Sequence, residues 1–271
     1  MGHLRRVFYE YSNILGVLNF KDRVRMVGMT ITQAPAIAKT RKLKVLDAAM
    51  SRDTTVRFRK HGLNIPVHTI DRTVMAGSED SYTFGTIREM LGNDVYLRAF
   101  RRDLRCSSVL DLGCNRGVFA LVGRTVLGAT TVIGVEPHEK YAAVRALLSQ
   151  CNGVEPPKAY WKMAGSTARE KADPAFVSID TLIRENNLQT IDFAKIDIEG
   201  AEAEVFSEVG WLSVTKNIAM ELHPQFVDVS PVLAAIRKSG FRVLTTDQFG
   251  RPCALEDAMF LYASRTGSLL H

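Results

Sequence analysis

The chain has 271 residues, 46% of them hydrophobic and 24% charged, with a formal net charge of +6. Those proportions suit a globular protein that can bury a full core, and no apolar run is long enough to cross a bilayer. The opening stretch is interrupted by Glu10 and Asn13 and lacks a small-residue cleavage site, which argues against a signal peptide; Arg6 stands where myristoylation of Gly2 would need Ser or Thr.

The charge is unevenly distributed. Residues 1–60 carry 13 Lys/Arg against 4 Asp/Glu, a surplus of nine positive charges, whereas the remainder has a surplus of three negative ones. We read the basic segment as a solvated helical face, with an anionic partner, RNA or a membrane surface, as the alternative. Nucleic acid is disfavoured as a partner and a peripheral membrane contact stays open. The cysteines Cys106, Cys114, Cys151 and Cys253 form no C-x-x-C pair, so reduced thiols in a cytoplasmic protein are expected, not a disulfide scaffold or a zinc site.

In chain order, "NILGVLNF" and "KLKVLDAAM" have helical spacing, "TVRFRKHGLNIPVHTI" alternates like a hairpin around His61-Gly62, and "TFGTIREMLG" is helical again. Residues 1–105 are therefore expected to form a helical and hairpin cap. From residue 106 onward short apolar runs alternate with helical patterns. "SVLDLG", "TVIGVEP", "KAYWKMA", "IDFAKID", "NIAMEL", "FRVLTT" and "AMFLYAS" are the predicted strands. Helices are predicted over "RGVFALVGRTVLG", "HEKYAAVRALLSQ", a segment holding Val205, Phe206 and Val209, and "SPVLAAIRKSG" with Ser230 as N-cap. This alternation predicts an α/β fold, a doubly wound, mostly parallel sheet over residues 106–271.

"VLDLGCNRGVFAL" places Asp111 two residues before Gly113 and Gly117 four residues after it. A dinucleotide fingerprint would need glycines at 113, 115 and 118, and Asn115 and Val118 break it. An acid ahead of the glycine turn suits a cationic amino-acid cofactor, and Glu136, at the end of the second strand, can accept hydrogen bonds from both hydroxyls of a ribose. Together they point to an adenosyl cofactor. Asp111 could instead cap its turn, and Glu136 could pair with Lys140.

"KIDIEGAE" crowds Asp197, Glu199 and Glu202 at the end of a strand, and "AMELHP" puts Glu221 and His223 at the end of its neighbour. In open α/β sheets that edge binds ligands. Reaction of a hydroxyl with an electrophile held at that edge requires alignment and removal of one proton. His223 is the candidate general base, Asp197 lines the transfer pocket, and Glu199 and Glu221 orient the imidazole or the hydroxyl. Alternatively Asp197, Glu199, Glu221 and His223 hold a divalent metal such as Mg²⁺, Mn²⁺ or Ca²⁺. Glu202 is assigned to the first turn of the next helix without a catalytic role. Lys195 is expected to pair with a carboxylate, and Trp161, Tyr82 and Phe84 are read as core, with walls of the cofactor or acceptor site as the alternative.

"DLGCNRG", "GVEPH", "SIDTLI" and "DFAKIDIEGAEAEVF", followed by "IAMELHP", resemble the S-adenosylmethionine-dependent methyltransferases of the FkbM type over roughly residues 76–263. The resemblance implies the seven-stranded class I methyltransferase sheet with its last strand antiparallel, Rossmann-like in layout, and O-methylation of a sugar, glycan or small metabolite. It assigns Asp111, Gly113, Asn115 and Gly117 to the methionine-side loop, Glu136 to the ribose, and Met163 and Ala164 to the adenine wall; Cys114, a small residue within that turn, and Asp197, at the strand edge, are counted with the cofactor-binding residues. "SEDSYTFGTI" (78–87) takes the place of a segment that closes the cofactor site. The tetrapeptide usual in N-methylation is replaced by "DIEG". Residues 1–75 carry no recognisable motif, and the acceptor and oligomeric state are not specified.

Overall fold

The structure is a computed structural model and describes residues 2–51, 56–58, 62–74 and 82–270. The chain divides into two compact units, Met1–Val95 with Lys140–Pro156, and Tyr96–Glu139 with Pro157–His271.

The first unit begins with helices α1 (Gly2–Val17) and α2 (Phe20–Thr40). The helix expected over "NILGVLNF" is broken at Leu18–Asn19, because Asn19 turns into an N-cap whose Oδ1 accepts from the Asp22 amide at 2.8 Å. Helix α3 (Lys44–Ser51) precedes a hairpin of β1 (Val56–Phe58) and β2 (Leu63–Ile65), antiparallel with Val56 opposite Ile65. His61, the expected hairpin turn, lies outside the described residues. The last residues of the expected hairpin sequence, from Val67, are instead the start of helix α4 (Val67–Val74), entered through Pro66. Helix α5 (Thr83–Ile87) runs into a π-helical turn, Arg88–Gly92. Arg88 from that turn pairs with Glu10 and with Asp47, the latter at 2.8 Å. Residues 78–81 of the expected closing segment are outside the described residues.

The second unit is built on strand β3 (Ser108–Leu112), helix α6 (Val118–Thr125) and strand β4 (Thr131–Val135). Helix α7 (Ala142–Asn152) follows in sequence but belongs to the first unit, where the Asn152 side chain holds both the amide and the carbonyl of Asn64. The single strand expected over "KAYWKMA" is two: β5 (Lys158–Tyr160) in the main sheet, and β6 (Met163–Gly165) in a separate parallel pair with β7 (Phe176–Ser178). Between and after them lie α8 (Thr167–Ala172) and α9 (Ile179–Glu185). Strand β8 (Phe193–Ile196), the short helix α10 (Glu202–Val205), β9 (Asn217–Glu221), α11 (Ser230–Lys238), β10 (Arg242–Thr246) and β11 (Phe260–Ser264) complete the unit. Helix α11 is capped one residue earlier than expected, at Val229, because the Asp228 carboxylate takes the Ser230 amide at 2.9 Å.

The main sheet has the order β10-β11-β9-β8-β3-β4-β5. β11 is antiparallel to both neighbours and the other pairings are parallel, so the expected doubly wound, seven-stranded layout is present. The two central strands explain their own sequences. Every residue of β3 and β8 is buried, so both faces must be apolar except where a charge is compensated. Two such charges occur, Asp111 and Lys195, opposite each other in the β3–β8 register.

Candidate active site

The order of the sheet reverses between β3 and β8: β4 lies on one side of β3 and β8 on the other, though β4 follows β3 directly in sequence. The crevice beyond the carboxyl ends of these strands is where an open α/β sheet receives a ligand. Two tight turns meet there.

The first is the glycine turn from β3 to α6. Gly113, Asn115 and Gly117 have φ of 71°, 43° and 81°, a left-handed run that Gly and Asn tolerate better than other residues. At Gly113 the requirement is also steric. A Cβ there would stand 1.7 Å from the Asp197 carbonyl oxygen. The amides of Gly113 and Cys114 both donate to the Val135 carbonyl at 3.0 Å, which ties the turn to the end of β4. Cys114 is buried, as a small residue in that turn can be.

Glu136 follows β4 and is buried. Its Oε2 accepts from the Asn115 amide at 3.0 Å and its Oε1 from the His138 amide at 3.1 Å. The acid assigned to the ribose therefore lies directly against the glycine turn. Of the two residues assigned to the adenine wall, Met163 is 39% exposed and Ala164 is buried, both on the separate β6.

Beneath the turn, Lys195 and Asp111 are both fully buried, with Nζ 3.3 Å from Asp111 Oδ1 and 3.6 Å from Asp197 Oδ2. Nζ also donates to the carbonyls of Leu112 at 3.2 Å and Gly113 at 2.6 Å. Burial works against the ammonium, but the charges of Asp111 and Asp197 outweigh it, and the Lys195 pKa lies above its ordinary value. The expected pairing of Lys195 is present. Asp111, enclosed with it, supports the turn from below.

The second turn leaves β8. The strand stops at Ile196, so Asp197 is the first residue beyond it, and the spacing-of-two argument that aligned Glu199 with Asp197 does not hold. Glu199 is exposed, with φ 50°, and Gly200 follows at φ 108°. Glu199 stands apart from the cluster that the other candidates form. Asp197 Oδ2 accepts from the Tyr96 hydroxyl at 2.8 Å, and Tyr96 Oη lies 3.4 Å from Glu221 Oε2. His223 Nε2 is 3.8 Å from Asp197 Oδ1. Asp197, Glu221 and His223 each offer a ligating atom within 4.8 Å of the others.

Glu202, given no role from the sequence, does begin α10 as expected. Its fully buried carboxylate also holds His223, with Oε1 2.8 Å from Nδ1, and Oε2 takes the Gly200 amide at 2.9 Å. That hydrogen bond, aided by the charges of Glu202, Glu221 and Asp197 against partial burial, raises the His223 pKa. With Nδ1 held by Glu202, Nε2 is the ring nitrogen that faces Asp197. Tyr96 and Glu202 are the two residues that sequence reasoning missed. The second acid of "EGAE" was visible as a helix-start residue, but nothing near Tyr96 in sequence links it to Asp197.

Residues 111–243 match the family model for the methyltransferase FkbM domain. No curated protein matches the chain. Among solved structures, methyltransferase FkbM from Methylobacillus flagellatus KT aligns at 16% identity over 73% of this chain and 57% of its own, with a TM-score of 0.44. A SAM-dependent methyltransferase from Aquifex aeolicus aligns at 15% identity over 66% of this chain and 92% of its own, with a TM-score of 0.43. Precorrin-6y C5,15-methyltransferase from Geobacter metallireducens GS-15 aligns at 11% identity over 64% and 88%, with a TM-score of 0.39.

Proposed function

Starting from residues 111–243 as a methyltransferase FkbM domain, and from the chain as an S-adenosylmethionine-dependent methyltransferase, we propose that it methylates a hydroxyl of a small metabolite, sugar or glycan. The cofactor, when bound, supplies an electrophilic methyl group on a sulfonium. The chain's own residues fit such a group. A glycine turn with positive φ at 113 and 117 leaves backbone uncovered by side chains, and Glu136 stands beside it where a ribose diol would be gripped. Asn115 and Cys114 complete the methionine side, with Asp111 supporting the turn from below through Lys195, and Met163 and Ala164 form the adenine side. The carboxylates at the far edge favour a cation over a phosphate.

The observation that carries hydroxyl methylation is the Glu202–His223 pair facing Asp197. An alcohol must lose its proton as it attacks, and an imidazole fixed by a carboxylate on Nδ1 presents Nε2 as the acceptor. Glu202 holds the ring and its tautomer. Tyr96 and Asp197 set the floor against which the hydroxyl lies.

A second reading rests on the convergence of Asp197, Glu221 and His223. Oxygen-rich ligands with one imidazole suit Mg²⁺ or Mn²⁺ better than zinc, and Glu202 would then be the carboxylate that orients a ligating histidine.

Labelled-methyl transfer from S-adenosylmethionine to a panel of hydroxylated metabolites and glycans tests the proposal. His223→Ala should lower transfer by about 100-fold or more while leaving S-adenosylhomocysteine binding near that of the parent by calorimetry. A fully active variant removes the base role, and transfer confined to nitrogen acceptors removes the hydroxyl reading.

A further inference from the structure

Helix α2 has a buried side and an exposed apolar side. Asp22 and Met26 face inward, and Asp22 Oδ2 takes the Arg57 amide at 2.9 Å, which fastens that side to the hairpin. Phe20, Val24, Val27 and Ile31 are 79%, 55%, 41% and 72% exposed. At 3.6 residues per turn these four fall within an arc of about 60°, and the exposed Ala34 and Ala38 extend the same stripe. An aliphatic stripe along one face of a 21-residue helix is more than scattered surface apolarity.

The charges around it are sorted by burial. The three acids between residues 5 and 51, Glu10, Asp22 and Asp47, are all buried, and each is held internally. Seven Lys/Arg in the same span are exposed, Lys21 and Lys39 among them; Arg6 is paired with Glu10, and the exposed Glu89 lies with Arg6, Arg41, Lys42 and Lys44 around one cavity, so the exposed surplus there stays positive. We propose that this face of α2 lies in the plane of an anionic lipid surface, the stripe entering the acyl boundary and the cations meeting the headgroups. Among the described residues no helix is long and apolar enough to cross a membrane, so the contact is interfacial. RNA would call for bases stacked on several aromatic rings, and the stripe offers one, Phe20.

The test is co-sedimentation of the full chain with phosphatidylcholine vesicles with and without phosphatidylserine. Binding should require the anionic lipid and weaken as salt is raised. Val24→Asp with Ile31→Asp should reduce it by about tenfold or more, and Lys39→Gln with Lys42→Gln by about fivefold for each charge removed. Circular dichroism and S-adenosylhomocysteine binding should match the parent in both variants. The proposal is overturned if the anionic vesicles leave the chain in solution, or if the folded variants bind as the parent does. It is equally overturned if the apolar substitutions dissolve a dimer that never bound vesicles, or if the chain binds RNA and ignores lipid.

Discussion

Replacing Lys195 by methionine tests the interior of the site. Lys195 and Asp111 are both fully buried, 3.3 Å apart, and the same ammonium donates to two backbone carbonyls. Methionine fills a similar volume, so the loss is electrostatic and not a cavity. Removing one partner of a buried pair costs about 3–5 kcal/mol, because the remaining charge keeps its desolvation without its counter-charge. At roughly 2–4 °C per kcal/mol for a domain of this size, the melting temperature should fall by about 6–20 °C. The deficit also has a sign in pH. In the parent, the raised Lys195 keeps its contribution through neutral pH and loses it only as pH climbs through that raised value. Differential scanning calorimetry across pH reads both effects, and Asp111→Leu added to Lys195→Met should restore much of the loss. A single variant that melts within a degree or two of the parent at every pH would refute the reasoning.

Glu202→Gln should move the acid limb of the activity profile to lower pH. The base form of His223 must be unprotonated, the Glu202 hydrogen bond is the chief cause of its raised pKa, and removing that charge lowers it; a rate–pH profile that does not shift speaks against the pair. Gly113→Ala sets a Cβ 1.7 Å from the Asp197 carbonyl oxygen at φ 71°. The backbone term of about 1–2 kcal/mol and an overpacking term of about 1–3 kcal/mol should lower the melting temperature and S-adenosylhomocysteine affinity together, and a variant normal in both would be contrary to expectation. Dialysis against EDTA decides between the two readings of the acidic edge: transfer that persists leaves the metal-free base, and transfer restored only by Mg²⁺ or Mn²⁺ establishes the ion.

The sheet was legible because its central strands are buried on both faces and therefore unbroken in apolar character, and because glycines punctuate the turn that follows β3. The boundaries that differed were decided by single polar side chains acting locally. Asn19 ends a helical pattern by capping the next helix, and Asp228 moves a cap from Ser230 to Val229. "KAYWKMA" divides between two sheets, which periodicity alone does not foresee. At the site, spacing gave the right strand ends, so Asp197 and His223 meet and Glu136 reaches the glycine turn. It misled at Glu199, where strand spacing was carried past the last strand residue into a left-handed turn. Glu202 and Tyr96 approach their partners from positions 21 and 101 residues away in sequence, a separation that no local pattern encodes.

The Glu136 carboxylate has one further consequence. Each oxygen already restrains a different loop, one after β3 and one after β4, and on the proposed reading each has a second lone pair to offer a sugar hydroxyl. If the proposed reading holds, the nucleoside seat is pre-organised, and arrival of the donor need not freeze those loops afresh. Neutralising this acid would loosen two segments as well as one contact, so its effect on affinity should exceed what a pair of hydroxyl bonds is worth.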